Sequence, residues 1–307
     1  MRRYMLVAIG NPVFDIIETP YIKTNGRVLS GCSVNAALAV GKLGENALVV
    51  GAIGDDFRSE AVSKLKEYGV DSFFIKSVET GGFYLRYLDE TMNDRILRLI
   101  GHADRISLNE DLKEYVHNSD SILLGPILDE ISIEMAVELS NACDCLTVVD
   151  PQGFIRIVDG GTVRRVNNPR IVEVIRAVDV FKPNEHEAEV IFGAKNPVWI
   201  AKKIVELGAG IGIVTLAERG SVIALEKGVY KIPAYRTVAR DPTGCGDVYG
   251  GAFVYYYVKY GDPIEAAAFA SAVASFMVET TGPDFNIDKT ALNERFEVLI
   301  EGVVKVE

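Results

Sequence analysis

The stretch 241-DPTGCGDVYGGAF-253 decides how the chain reads. Gly244 and Gly246 flank the small Cys245, Asp247 follows at once, and the chain then turns apolar. That order predicts a tight turn opening a buried helix. The first turn of a helix leaves main-chain N–H groups unpaired and carries partial positive charge. A glycine turn lets an anion approach those groups closely, so 244-GCGD-247 reads as a phosphate cradle. It is not a Walker A loop, because no Lys-Ser/Thr pair follows. A carboxylate facing the cradle would repel a resident phosphate. Asp247 makes sense if it faces an acceptor hydroxyl and takes its proton as a phosphoryl group passes. The N–H groups then hold the charge in flight. Aspartate is also a good helix cap, and the loop alone does not choose between the two.

Upstream of the loop, short β-branched runs alternate with helical patterns. Strands are expected at 4–9, 47–53, 121–125, 145–150, 178–182, 211–215 and 221–225. Helices are expected near 34–43, 57–68, 131–141, 170–177 and 197–207, with the last third, 246–300, mostly helical. Strands apolar on both faces and separated by helices indicate parallel βαβ units in an α/β sandwich. Two regions break this rhythm. Residues 11–30 and 80–100 alternate like exposed antiparallel strands, with a polar turn at Asn93-Asp94. They are expected to pair as a small β-sheet lid over a single domain spanning 1–307.

The totals narrow the function. The 307 residues are 49% hydrophobic, ample for a large core. A net charge of −11 argues against a nucleic-acid partner, which needs clustered Lys and Arg. The apolar run in MRRYMLVAIG is too short for a signal peptide, and 266-AAAFASAVASFMV-278 is too short to span a bilayer. A cytoplasmic protein without a membrane partner is expected. The four cysteines, Cys32, Cys143, Cys145 and Cys245, with three scattered histidines, form no zinc pattern and are expected as reduced thiols.

With the loop and its surroundings in view, the chain resembles the ribokinase-like (PfkB) family of sugar and nucleoside kinases. The family hallmark is D-T-x-G-A-G-D before a helix; here Pro242 and Cys245 replace the usual Thr and Ala. Further marks follow in family order: 31-GCSVNAALAVGKLG-44, 51-GAIGDDFRSEAVSKLKEYGVD-71, 182-KPNEHEAE-189 and 214-VTLAERG-220. Cys32, Ser59 and Ala217 stand at usual glycines. The resemblance implies a three-layer α/β/α sandwich around a mostly parallel sheet, and transfer of the ATP γ-phosphoryl group to a hydroxyl. It implies Asp247 as general base, with the backbone of Gly244, Cys245 and Gly246 as the anion hole. Pro242, lacking both N–H and hydroxyl, weighs against the family's monovalent-cation loop.

Asn184 and Glu187, three apart, fall on one face of a helical turn and offer hard oxygens suited to Mg²⁺. The resemblance assigns them to the metal of MgATP, and places Thr215 and Gly220 beside the ATP. It also assigns the acceptor grip to Asn11, Asp15, Gly31 and Asn35, where carboxylate and amide groups can hold pairs of hydroxyls. The opening 10-GNPVFDI-16 resembles the start of adenosine kinases, and Phe83, Tyr84 and Tyr87 could stack on a base. A ribonucleoside phosphorylated on its 5′-hydroxyl is therefore expected. A free sugar or sugar acid stays open, and so does a phosphorylated sugar held by Arg86, Arg95, Arg98 or Arg105. A non-catalytic nucleotide-binding regulator is the reading from another class, although such a protein would be expected to lose the base. A Rossmann dehydrogenase is excluded because 10-GNPVFD-15 lacks the G-x-G-x-x-G spacing. A lid with an open edge suggests a homodimer.

Overall fold

The computed structural model describes residues 2–307. In chain order its elements begin β1 (Leu6–Ile9), β2 (Val13–Glu18), β3 (Val28–Ser30), α1 (Cys32–Lys42), β4 (Ala47–Gly54), α2 (Arg58–Glu67), β5 (Val70–Ser77), β6 (Gly81–Tyr87) and β7 (Arg95–Gly101). There follow α3 (Glu110–His117), β8 (Ser121–Leu124), α4 (Ile133–Asn141), β9 (Leu146–Val149), β10 (Arg156–Asp159), β11 (Thr162–Arg165), α5 (Ile171–Ala177), β12 (Val180–Phe181), α6 (Glu185–Phe192) and α7 (Pro197–Leu207). The chain closes with β13 (Ile211–Thr215), β14 (Ser221–Leu225), β15 (Gly228–Ile232), α8 (Cys245–Tyr260), α9 (Pro263–Met277), α10 (Lys289–Glu301) and β16 (Val304–Lys305).

Ten strands form the main sheet in the order β16-β15-β14-β13-β12-β9-β8-β1-β4-β5. From β5 to β13 every pairing is parallel, and β14, β15 and β16 add an antiparallel edge. Alternation along β1 shows why both faces are covered. Leu6 and Ala8 join a core with α1, α2, α8, α9 and α10, while Val7 and Ile9 join a second core with α3, α4, α5 and α7. A strand feeding two cores must be apolar at every position, which is how LVAI and ALVVGAIG read. The result is the expected three-layer α/β/α sandwich.

The second sheet has six strands, β10-β11-β7-β6-β2-β3. The segments at 11–30 and 80–100 supply β2, β3, β6 and β7 as expected. The hairpin β10–β11 is an addition that the sequence reading lacked, although its Asp159-Gly160-Gly161-Thr162 turn is a recognised hairpin signal. Gly160 and Gly161 both take positive φ, 55° and 77°, as a primed turn requires. Also unanticipated were β5, α3 and β15. Cys143 and Cys145, expected as reduced thiols, are brought together between α4 and β9, where the turning chain sets their Cα atoms 5.1 Å apart, within reach of a disulfide. Cys32 and Cys245 are free thiols. No helix among the described residues is long and apolar enough to cross a membrane.

Candidate active site

A cleft of about 940 Å³ runs between the two sheets, over the C-terminal ends of the central parallel strands. Its floor is the N-terminus of α8. Gly244 caps that helix in the left-handed region, with φ 81°. A Cβ there would lie 2.6 Å from Asn35 Nδ2, so only glycine fits. The Cys245 N–H is already committed, donating to the Pro242 carbonyl at 3.2 Å. This corrects the expectation that Cys245 contributes its N–H to the anion hole. The main-chain N–H groups of Gly246 and Asp247 are free of backbone partners among the described residues, and no side chain caps the helix. Those two N–H groups face whatever enters the cleft. A Cβ on Gly246 would meet nothing in the protein nearer than Lys182 Nζ, 3.9 Å away.

Asp247 stands beside these groups in a dense polar knot. Asn35 Nδ2 donates to its Oδ2 at 3.0 Å, and Gln152 Nε2 lies 3.4 Å from its Oδ1. Lys182, ending β12, pairs with Asp150, ending β9, at 2.7 Å, and both side chains are nearly fully buried. Burial raises the proton affinity of Asp247, and the charge of Asp150 adds to it; Asn35 and Lys182 pull the other way. Burial works against the Lys182 ammonium, but Asp150 and its other anionic neighbours, Asp247 among them, together outweigh it and hold the group protonated. Neither Lys182 nor Gln152 was singled out from the sequence. A lysine or aspartate closing an apolar strand becomes informative only once β9 and β12 are known to be neighbours.

On the acceptor side, Asp15 lies on β2 facing the cleft and is 4% exposed. Burial raises its pKa to about 7, against the pull of Ser30 and Arg95. Gly31 lines the cleft with φ 118°, and a Cβ there would press on the Asn11 carbonyl at 2.9 Å. Asn35 is buried under Gly244, and its Oδ1 is the one buried side-chain polar atom without a partner among the described residues. Asn11 is not brought to the cleft. Its Nδ2 donates to the Asp104 carbonyl at 2.9 Å and its Oδ1 accepts from Ala52 N–H at 2.7 Å, so its amide is spent on joining β1 to β4. Phe83, Leu85 and Tyr87 face the cleft while Tyr84 points away, its hydroxyl donating to Glu18 at 2.7 Å. The Tyr87 hydroxyl is itself tied to Thr243 at 2.9 Å and to Arg95 at 2.8 Å.

On the opposite side, Asn184 and Glu187 close a reciprocal capping box at the start of α6, each side chain 2.9 Å from the other residue's N–H. The Asn184 amide oxygen is thus occupied, contrary to its expected part in holding a metal. Glu187 keeps Oε1 free; burial and the charge of Asp150 raise its proton affinity. Thr215 ends β13 beside Asn184 and lines the cleft, as does Gly220. Gly220 is glycine for an internal reason: a Cβ would overlap the Ile232 carbonyl oxygen.

The comparisons with known proteins agree with this geometry. The pattern of the pfkB family carbohydrate kinases matches residues 5–290. A nucleoside kinase of Methanothermobacter thermautotrophicus is 29% identical over 303 residues, covering 93% of each chain. A deoxyribokinase of Salmonella typhi is 25% identical over 298 residues, covering 90% of this chain and 93% of the relative. A solved pyrophosphate-dependent kinase in the ribokinase family, complexed with a pyrophosphate analog and myo-inositol, superposes with a TM-score of 0.81 at 22% identity, over 94% of this chain and all of that one. The chain belongs to the pfkB family of carbohydrate kinases. It is a phosphotransferase with an alcohol group as acceptor, and the reading as a non-catalytic regulator is set aside.

Proposed function

We propose that this pfkB family kinase transfers the γ-phosphoryl group of MgATP to the 5′-hydroxyl of a ribonucleoside, with Asp247 as general base. The observation that carries the reading is the floor of the cleft. There, a buried carboxylate of raised proton affinity adjoins two uncommitted N–H groups at a helix N-terminus. In the step, Asp247 takes the proton of the acceptor hydroxyl. The acceptor's oxygen bonds to the γ-phosphorus as the bond to the β–γ bridging oxygen breaks, and ADP leaves. The N–H groups of Gly246 and Asp247 hold the oxygens of the group in transit. Lys182 adds positive charge at the same place, while Asp15, the Gly31 backbone and Asn35 orient the acceptor. A hydroxyl donating to the unpartnered Asn35 Oδ1 would satisfy it.

The donor set suits a hydrated Mg²⁺, because Glu187 Oε1 and the Asp150 carboxylate are hard oxygens near the ATP side. Bound there, the ion would offset the charge of the donor phosphates. Cys32, within 4.8 Å of Asp150 and Asp247, is too soft a ligand for it and is kept a neutral thiol by burial.

The nucleoside reading rests on the division of the acceptor half-site. Asp15 and Gly31 suit a ribose, and the apolar wall of Val13, Phe83, Leu85 and Leu97 suits the flat face of a base. The relative named a nucleoside kinase supports it. A free sugar or sugar acid is the second reading. It is favoured by the outward Tyr84, which leaves two aromatic rings in the cleft where three were expected, and by the Tyr87 hydroxyl being tied to Thr243. ADP release from MgATP with adenosine, inosine, guanosine, cytidine, ribose, fructose, deoxygluconate and fructose 6-phosphate decides. Turnover confined to nucleosides is expected. Turnover on a sugar alone selects the second reading, and silence across the set while ATP binds contradicts both.

A second copy of the chain is the proposed partner. Ile96, Ile100 and Ile157 stand exposed on the small sheet, on the face turned away from the cleft. Sedimentation should give a dimer that Ile100→Lys weakens; a wild-type monomer contradicts it.

A further inference from the structure

Where the small sheet leaves the main one, a carboxylate is buried with no Lys, Arg or His within ion-pair reach among the described residues. It belongs to Glu130, in the loop between β8 and α4, which is 4% exposed. Its oxygens accept from main-chain N–H groups: Asn11 at 3.1 Å and Ile127 at 2.7 Å on Oε1, and Leu128 at 2.8 Å on Oε2. The basic groups nearby go to its exposed neighbour instead, Arg105 lying 2.7 Å and His102 3.5 Å from Asp129. Burial raises the proton affinity of Glu130, and the N–H groups pull the other way. A lone buried carboxylate is costly. Stability alone would be served as well by an apolar side chain with those N–H groups paired elsewhere.

What the N–H groups carry explains the arrangement. Asn11 opens the turn that leads through Pro12 into β2, where Asp15 faces the cleft. Ile127 lines the cleft, and its carbonyl accepts from Arg156, at the start of β10, at 3.0 Å. The Glu130 carbonyl accepts from Ile106 N–H at 3.0 Å, which fixes the chain after β7. One residue thus joins the β8–α4 loop to the roots of β2, β7 and β10. Packing alone does not set this joint. A cavity of about 20 Å³ lies beside it, lined by Asn11, Gly81, Gly101, Ala103 and Glu130 among others, with room for about one water. The hydrogen bonds to Glu130 therefore decide how β2 sits against the main sheet.

We propose that Glu130 is a positioning residue for the acceptor. Through the Asn11 and Ile127 N–H groups it sets where the β2 side of the cleft, Asp15 included, stands relative to Asp247, and it touches neither substrate itself. The donor side, at α6 and β13, is held by other elements, so the effect falls on one substrate. The proposal rests on the acceptor lying on the β2 side, and a separate variant reports on the grip of Asp15.

The test is steady-state kinetics with both substrates varied, using the acceptor that the wild type phosphorylates. Glu130→Gln keeps the size but offers one oxygen to the three N–H groups and turns an NH₂ group towards the rest. Glu130→Asp keeps the charge and shortens the reach. Ser121→Ala is the control for general softening: its buried hydroxyl, at the end of β8 away from the cleft, donates to the Met5 carbonyl. In folded Glu130→Gln or Glu130→Asp, acceptor KM should rise about 10-fold while donor KM stays within about 2-fold, because small displacements of a binding group are costly. Ser121→Ala should move neither KM, whatever it does to the melting temperature. Unchanged KM values in the folded Glu130 variants, equal rises for both substrates, or the same split in Ser121→Ala overturn the proposal. So does failure of both Glu130 variants to fold, which makes the residue a structural one. Asp15→Asn, run alongside, tests the grip: an unchanged acceptor KM there removes Asp15 from the grip and leaves the Glu130 result standing.

Discussion

At the scale of single residues, Asp15 links stability and function through pH. Its folded pKa of about 7 lies far above the usual carboxylate value. Between roughly pH 4 and about 7 the folded chain keeps a proton that the unfolded chain has lost. Stability therefore falls as pH rises through that window, by on the order of 4 kcal/mol from this group, and then levels. Asp15→Asn should lose less stability than the wild type between pH 4.5 and 7.5 in denaturant titrations; equal losses contradict the assignment. Acceptor binding should strengthen as Asp15 ionises. At this scale the sequence drew attention to Asp247 through its motif, since the glycine turn alone leaves the acid either a base or a cap. It told little about Lys182 and Asp150, whose meaning comes from a pairing 32 positions apart. Asn11 misled in the other direction. An asparagine near a glycine looks free to bind, but the backbone of Ala52 on β4 and of Asp104 after β7 consumes the amide.

Among the elements, α8 and α6 carry the site. Gly251 lets α8 lie directly on α1, since a Cβ there would overlap the Ala36 carbonyl oxygen. That close approach is what sets Asn35 against Asp247. Gly251→Ala should cost about 1–3 kcal/mol through overpacking and lower turnover as well. Gly246→Ala has room in the protein, so it should keep the wild-type melting temperature while lowering turnover. Melting and rate measurements on both variants separate the two effects; a large loss of stability in Gly246→Ala contradicts the picture of an open cradle. On α6, Asn184→Ala should cost about 1 kcal/mol and Asn184→Asp much less, because the amide acts first as a cap. Denaturant melts check this. The helices and parallel strands were legible because their periods are strong. The β10–β11 hairpin was passed over despite its glycine turn, since four-residue strands rich in Arg and Val carry a weak pattern.

For the whole molecule, two sheets enclose one cleft, with the proposed acceptor residues on β2 and the α1 turn, the proposed donor residues after β12 and β13, and Asp247, the proposed base, between them. Loop motifs in family order made this arrangement legible in outline. Strand order and the membership of the small sheet were not legible, because both depend on which distant strands pair. The arginines show the consequence: the sequence pointed to Arg86, Arg95, Arg98 and Arg105, and the fold brings Arg95, Arg156 and Arg165 together. The central claim is that Asp247 is the base for phosphoryl transfer to an alcohol. The most direct measurement is the turnover number of Asp247→Asn, with whichever acceptor the wild type phosphorylates and with equal melting curves as the control. A fall of about 10²–10⁴-fold with little change in acceptor KM is the predicted result. Turnover within a few-fold of wild type would contradict the account.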